Sequence, residues 1–362
     1  MSRILAASAA LLLLSAAAGR AQQAPPEPQP SATLVPAEQQ IIFPAAADSN
    51  SPAFWRDGDL HVFNSLNHPY HSVGDDLASL RDPVGVIFTG GVRGPRWMES
   101  IIEDEDGTLY GYYHHEPSGL CGMKTAPEIG AARSSDGGYT WSDLGIILKA
   151  PASALECRTD NTYFVGGEGD FSAVLGRDRQ HVYFFFSSYS ADTLTQGIGL
   201  ARMAWADRTA PAGRVFKWLD REWSSPGVGG RITPLYGARV SWHRADADAL
   251  WGPSVHWNAY LDRFVMLMSR AIDATSQWTT EGIYISYAGR LDDSLAWSDP
   301  QKLLDGGGWY PQVVGLRPGA GTDSQAGRVA RFFTGGVSNF LIEFERPEAQ
   351  AARRSKAGGA QP

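Results

Sequence analysis

The stretch Trp251-Gly252-Pro253-Ser254-Val255-His256-Trp257, continued by Asn258-Ala259-Tyr260-Leu261-Asp262-Arg263-Phe264-Val265-Met266-Leu267-Met268-Ser269-Arg270, reads as one complete unit of the pattern that organises the chain. A strand led by polar and aromatic groups enters a tight turn, and a second strand of bulky apolar residues leaves it. Related units run over residues 48–65, 97–115, 169–186 and 309–333. Each opens on an acidic or aromatic cluster, passes a charged or Gly-rich turn and continues into an apolar strand. In the first three the turns are Arg56-Asp57-Gly58-Asp59, Asp104-Glu105-Asp106-Gly107 and Gly176-Arg177-Asp178-Arg179. Helical periodicity is scarce, whereas short runs rich in Val, Ile, Tyr, Phe and Trp alternate with Gly, Asp, Asn and Pro clusters from end to end. Units of roughly 60 residues, five in all, are what a five-bladed β-propeller of four-stranded antiparallel blades requires. The expected fold class is therefore all-β.

Ser134-Ser135-Asp136-Gly137-Gly138-Tyr139-Thr140-Trp141 gives independent support. It matches the Asp-box, Ser-x-Asp-x-Gly-x-Thr-Trp, in which the Asp side chain caps a hairpin turn, Gly takes a positive φ and Trp packs between blades. A looser version, Asp292-Asp293-Ser294-Leu295-Ala296-Trp297, follows the second strand of the fourth unit. The motif builds a turn, so Asp136 and Trp141 are not site candidates.

Arg3, the apolar run over residues 4–14 and the small residues up to Gly19-Arg20-Ala21 fit a secretory signal over residues 1–21, too short to span a membrane. No Cys follows it, so no lipid anchor is expected. Residues 22–40, with Pro25, Pro26, Pro28, Pro30 and Pro36 among Gln, Ala and Ser, read as a Pro-rich linker, residues 348–362 as a disordered tail, and 41–347 as the propeller. The mature protein is expected in the periplasm or outside the cell, with no membrane anchor. A net charge of -8 and the lack of a basic stripe exclude nucleic acid as a partner. Cys121 and Cys157 are the only cysteines, and in an exported chain they are expected to form a disulfide.

The innermost strands of a propeller line a central channel, and ligands collect at one of its mouths, so the residues leading those strands converge. Those leaders are Asp48, Glu99, Asp170, the segment 254–256, Tyr310 and Gln312. Three carboxylates at equivalent places in three blades are poor choices for folding, because burying like charges together is costly. They make better sense as a site, against the alternative that each caps a turn or pairs with Arg96, Arg202 or Arg270. Trp97, Trp251, Trp257 and Trp309 sit beside these leaders; flat rings next to carboxylates suit sugar faces, although blade packing also uses Trp. His114, His115 and Glu116 end the second strand of their blade and are placed at the periphery or in a loop over the site. Adjacent strand residues face opposite sides, so this run is weak evidence for zinc. No metal ligands and no cofactor are read from the sequence; a structural calcium or sodium ion in the channel is left open.

On these residues the chain resembles the five-bladed propeller glycoside hydrolases, the group of arabinanases, β-xylosidases, invertases and neoagarobiose hydrolases, over most of residues 41–345. The resemblance implies an Asp at the start of the first blade as base or nucleophile, matched by Asp48, and an Asp from the third blade that tunes pKa or stabilises the transition state, matched by Asp170. The family's general acid, a Glu in a Glu-Gly-Pro motif of the fourth blade, is not matched: Trp251-Gly252-Pro253 carries Trp in its place. Cleavage needs a proton on the leaving oxygen, so another group must supply it. His256 is the first candidate, because its strand position should face inward with Ser254 by the period of two; Glu99 is the second. A His acid is thought to serve the neoagarobiose hydrolases.

The expected activity is inverting hydrolysis of poly- or oligosaccharides, with Asp48 as general base, Asp170 positioning substrate and His256 or Glu99 as donor. Trp97, Trp251, Trp257, Trp309, Tyr310 and Gln312 are the expected substrate-binding residues. The rival reading is a catalytically silent carbohydrate-binding propeller, suggested by the missing Glu. A sialidase-like exoglycosidase ranks below both, since no Arg-Ile-Pro motif precedes the box.

Overall fold

Alternating apolar and polar residues bounded by Gly- and Asp-rich turns resolve into five antiparallel sheets set around a central channel, as a five-bladed β-propeller. The structure is a computed structural model describing residues 29–117 and 119–350, so the expected signal at 1–21 lies outside the described residues. The inner strands of the five blades are, in order, Ala53–Arg56, Arg96–Glu103, Glu168–Leu175, Ala249–Asn258 and Gln312–Gly315. Each opens one of the repeated units, and each hairpin partner is the apolar strand that follows it in the sequence, such as His181–Ser188 or Arg263–Ala271. The expected number of blades and their order along the chain are both met.

One boundary is corrected. Ser31–Ile42, of which residues 31–40 were expected within a linker, is a strand that pairs antiparallel with Val337–Glu345 and completes the fifth blade. Ala32 and Leu34 pack on the core between the fourth and fifth blades, and Ile41 on the core between the fifth and first. Pro36 lies at the start of the register shift on this outer strand, where a missing N–H is tolerated. Pro-rich composition therefore hid a strand that tertiary packing orders. Residues 347–350 continue past the last strand in helical conformation, with the Gln350 N–H donating to the Arg346 carbonyl at 3.3 Å, and the rest of the expected tail lies outside the described residues.

Buried side chains form the layers between neighbouring blades. Tyr112, Phe171, Phe184 and Phe186 fill the gap between the second and third, while Phe185, Leu200, Met266, Met268 and Trp297 fill the next. Fully burying each such side chain contributes about 1.5–3 kcal/mol. At the turn over residues 134–141, Asp136 accepts from the N–H groups of Tyr139 and Thr140 at 3.1 and 3.0 Å. Trp141 is buried against Phe63 of the first blade, with ring centroids 6.0 Å apart.

Serine hydroxyls stitch the inner strands to their neighbours: Met98 N–H donates to Ser65, Ala173 N–H to Ser100 and Val255 N–H to Ser172. Because the backbone edge of each inner strand faces the channel, its side chains alternate between the two flanking blades rather than between channel and exterior. That rule is broken at the upper end of three strands. Register shifts fall between Met98 and Ser100, between Gly169 and Phe171, and between Trp251 and Ser254. A bulge re-aims its extra residue, and in two of the three blades that residue is an expected acid, Glu99 or Asp170. Among the described residues no helix is long and apolar enough to cross a membrane.

Candidate active site

The mouth above these bulges holds a cavity of about 300 Å³ to which all five blades contribute. Asp48 and Asn67 come from the first, Trp97, His114 and Glu116 from the second, and Asp170 from the third, with Tyr163 and Phe164 on the segment leading to it. Trp251 and Trp278 come from the fourth, and Trp309 and Tyr310 from the fifth. Four of these, Asn67, Asp170, Trp278 and Tyr310, hold φ angles of 61°, 43°, 42° and 54°. Left-handed backbone at non-glycine residues costs on the order of 1 kcal/mol each and concentrates where function demands it.

Asp170 is the hub. Tyr189 donates to its Oδ2, Tyr310 donates to Oδ1 at 3.1 Å, and its own N–H donates to His114 Nδ1 at 3.0 Å. The His114 ring reaches this position because residue 169 is glycine: a β-carbon there would lie 2.6 Å from His114 Cε1. His114 Nδ1 also lies 3.3 Å from Glu99 Oε1, and Nε2 lies 3.2 Å from Glu116 Oε1. Glu99 is 1% exposed and its second oxygen accepts from the Phe171 N–H at 2.8 Å.

Burial pushes Glu99 up to about 7, although His114 opposes the shift. For His114 burial acts downward, but the carboxylates of Glu116, Glu99 and Asp170 outweigh it and hold the ring well above its ordinary value. The cluster is therefore biased toward holding protons, and with Nδ1 accepting from the Asp170 N–H the ring carries its proton on Nε2, facing Glu116. Asp48 is pushed up to about 7, first by burial and then by the negative charges of Asp170 and Glu116. Burial likewise raises Asp170, against the pull of His114 and Tyr189. Glu99, His114 and Asp170 each bring one donor atom within 4.8 Å of the others, the one metal-compatible grouping among the described residues.

Of the expected site residues, Asp48, Asp170, Trp97, Trp251, Trp309 and Tyr310 line the cavity. Glu99 lies beneath it and meets it through His114. His256 does not: it is 0% exposed, wedged against Phe344 of the fifth blade at a centroid distance of 5.7 Å, and burial lowers its pKa to about 3. The period of two does put it on one face with Ser254, but that face meets the next blade, not the channel. Trp257 sits instead under the Arg177 guanidinium, 4.1 Å from its ring centre, beside a separate cavity. Gln312 clamps the backbone of Ser51, accepting from its N–H at 2.6 Å and donating to its carbonyl at 3.0 Å, and so joins the fifth blade to the first.

Of the two places expected for His114 and Glu116, the periphery or a loop over the site, the structure excludes the first: both line the cavity. The second strand runs upward toward the mouth, so its last residues end there, next to the leaders of the following blade. Tyr163, Phe164 and Trp278 lie in connections with no strand pattern to mark them. A disulfide between Cys121 and Cys157 ties the connection that carries Tyr163 and Phe164 to the one that follows Glu116. Asn161 fixes the next turn by accepting from the N–H groups of Tyr163 and Phe164 at 2.9 and 2.8 Å and donating to the Trp242 carbonyl at 3.0 Å.

No protein-family model matches the chain, and no curated protein matches it at a significant level. Solved structures do. A family 117 glycoside hydrolase of the marine bacterium Zobellia galactanivorans superposes with a TM-score of 0.50 at 11% identity, covering 87% of this chain and 90% of that one. An endo-arabinase from Bacteroides thetaiotaomicron gives a TM-score of 0.50 at 13% identity, over 84% of this chain and 95% of its own. At such identities the likeness is one of fold, the five-bladed propeller.

Proposed function

We propose that this chain is an exported glycoside hydrolase that cleaves poly- or oligosaccharides by acid–base catalysis with inversion at the central mouth. The observation that carries the reading is the set of carboxylates Asp48, Glu116 and Asp170 around His114, on the floor of a cavity walled by indole rings. Such rings stack on the C–H faces of a sugar while the acids meet its hydroxyls. The fold shared with glycoside hydrolases supports this chemistry, and the residues at the mouth carry it.

In this scheme the unprotonated Asp48 carboxylate accepts a proton from water as the oxygen attacks the anomeric carbon. Asp170, held by Tyr189 and Tyr310, positions the sugar and sets the field around Asp48. The leaving oxygen takes its proton from His114 Nε2, the ring nitrogen that faces Glu116 at the cavity, while Nδ1 is held by the Asp170 N–H; His256 takes no part. Trp251 occupies the place of the family's acid and serves as an apolar wall instead. The scheme calls for no cofactor.

Screening the purified protein for reducing-sugar release against a polysaccharide panel tests the proposal, with Asp48→Asn as control. Release by the native chain and none by the variant is expected; equal release by both would remove Asp48 from the mechanism. The replacement of the acid by Trp251 favours one other reading, a binding propeller without turnover. Calorimetric binding of oligosaccharides without new reducing ends would establish that instead.

A further inference from the structure

We propose that the cavity receives a single, uncharged sugar residue at the end of a glycan chain, so that the protein trims chains from their tips and rejects acidic sugars. This rests on the carbohydrate-directed reading above and narrows it in two independent respects, shape and charge.

The shape argument comes from the wall. A groove that lets a chain run through must leave two opposite sides of the mouth open, whereas here every one of the five blades supplies lining residues. Tyr163 and Phe164 close the side between the second and third blades, and Trp278 and Trp309 close the side over the fourth and fifth. These walls are braced against one another. Trp309 Nε1 donates to the Trp278 carbonyl at 3.1 Å, the Thr162 N–H donates to the Ala274 carbonyl at 2.9 Å, and the disulfide anchors the segment before Tyr163. A volume of about 300 Å³ stands at the lower limit of small-molecule pockets and suits one ring with part of the next.

The charge argument comes from what lines it. Asp48, Glu116 and Asp170 are present, His114 is already engaged by Glu99, Glu116 and Asp170, and no Lys or Arg is among the lining residues. A uronate, sulfate or sialate group would enter next to three acidic side chains, with His114, the one basic group in the lining, already engaged by Glu99, Glu116 and Asp170, so that like charges repel it at close range. Neutral hydroxyls find acceptors in the same groups.

The experiment follows cleavage of reducing-end-labelled linear oligosaccharides of neutral and of uronate-containing sequence, sampled from the first few per cent of conversion. In parallel, calorimetry with the Asp48→Asn variant compares neutral monosaccharides, neutral oligosaccharides and uronates. The expected result is loss of one neutral residue at a time from the unlabelled end, with uronate-terminated chains cut at least tenfold more slowly. Early release of a spread of internal fragments would overturn the pit. Equal handling of uronates would overturn the charge rule, in either case leaving hydrolysis intact. If nothing is cleaved, the hydrolase reading fails by itself, and binding decides. A neutral monosaccharide bound within tenfold of its oligomer supports the inference, while a requirement for several residues, or tighter binding of uronates, or no binding at all, defeats it.

Discussion

The phenol of Tyr310 donates to Asp170 Oδ1 at 3.1 Å, so a residue of the fifth blade holds the carboxylate of the third across the mouth, with both backbones in the left-handed region. Tyr310→Phe removes the donor and keeps the ring. Burial already raises the Asp170 pKa and the Tyr310 hydrogen bond is one of the groups opposing it, so the variant should raise it further. The expected outcome is a kcat/KM about tenfold lower, with the acid limb of its pH profile displaced upward. An unchanged profile would detach Tyr310 from the chemistry.

Asp48 carries a second pH signature. Its carboxyl, ordinarily at 3.8, sits at about 7 in the folded protein. In its proposed role of general base it would work ionised, so kcat/KM should rise with pH through about 7. Stability runs the other way: folding favours the protonated acid, so its contribution is complete below 3.8 and is lost as pH rises through about 7. Asp48→Asn should therefore abolish turnover while making the protein more stable by roughly 1–3 kcal/mol at pH 8, read by urea unfolding. A destabilised variant would mean that the carboxylate holds the fold together.

His256 supplies the opposite sign. Its pKa falls from 6.5 to about 3 because the ring is buried, so the unfolded chain binds the proton first. The stability that goes with the neutral ring is present above 6.5 and is lost as pH falls toward 3. His256→Leu should remove roughly 3 kcal/mol of acid sensitivity at pH 4 and leave kcat within about twofold. A collapse of kcat in a folded variant would return His256 to the list of proton donors.

Asn161 tests the wall. It is buried and its three hydrogen bonds place Tyr163 and Phe164 at the cavity. Asn161→Ala should cost about 2–3 kcal/mol in unfolding free energy. A KM raised more than kcat is lowered is expected besides, which a loss of bulk stability alone would not produce.

The hydrophobic period and the Gly- and Asp-rich turns made the blades legible, because each inner hairpin carries its own local pattern. Asp48 and Asp170 were legible for a different reason: charges that would be wasteful in a core stood where strands begin. The choice of His256 failed on geometry, since an inner strand shows the channel its backbone edge, and only bulges such as the one at Asp170 turn a side chain toward the mouth. His114 was hidden because strand direction decides which end of a hairpin reaches the site, and direction relative to the channel is a tertiary fact. The strand Ser31–Ile42 was masked by prolines near it, its order coming from Val337–Glu345 some 300 residues away.

That pairing gives the ring a latch between the first and the last strand of the described residues. Until the strand Val337–Glu345 is available, Ser31–Ile42 has nothing to zip onto, the fifth sheet keeps an open edge, and the faces of the fourth and first blades beside it stay uncovered. Closure is thus a long-range event, slow by its topology and postponed until Val337–Glu345 has been made. A nascent chain with its latch undone remains pliable, and it hardens into a wheel only when the two strands meet.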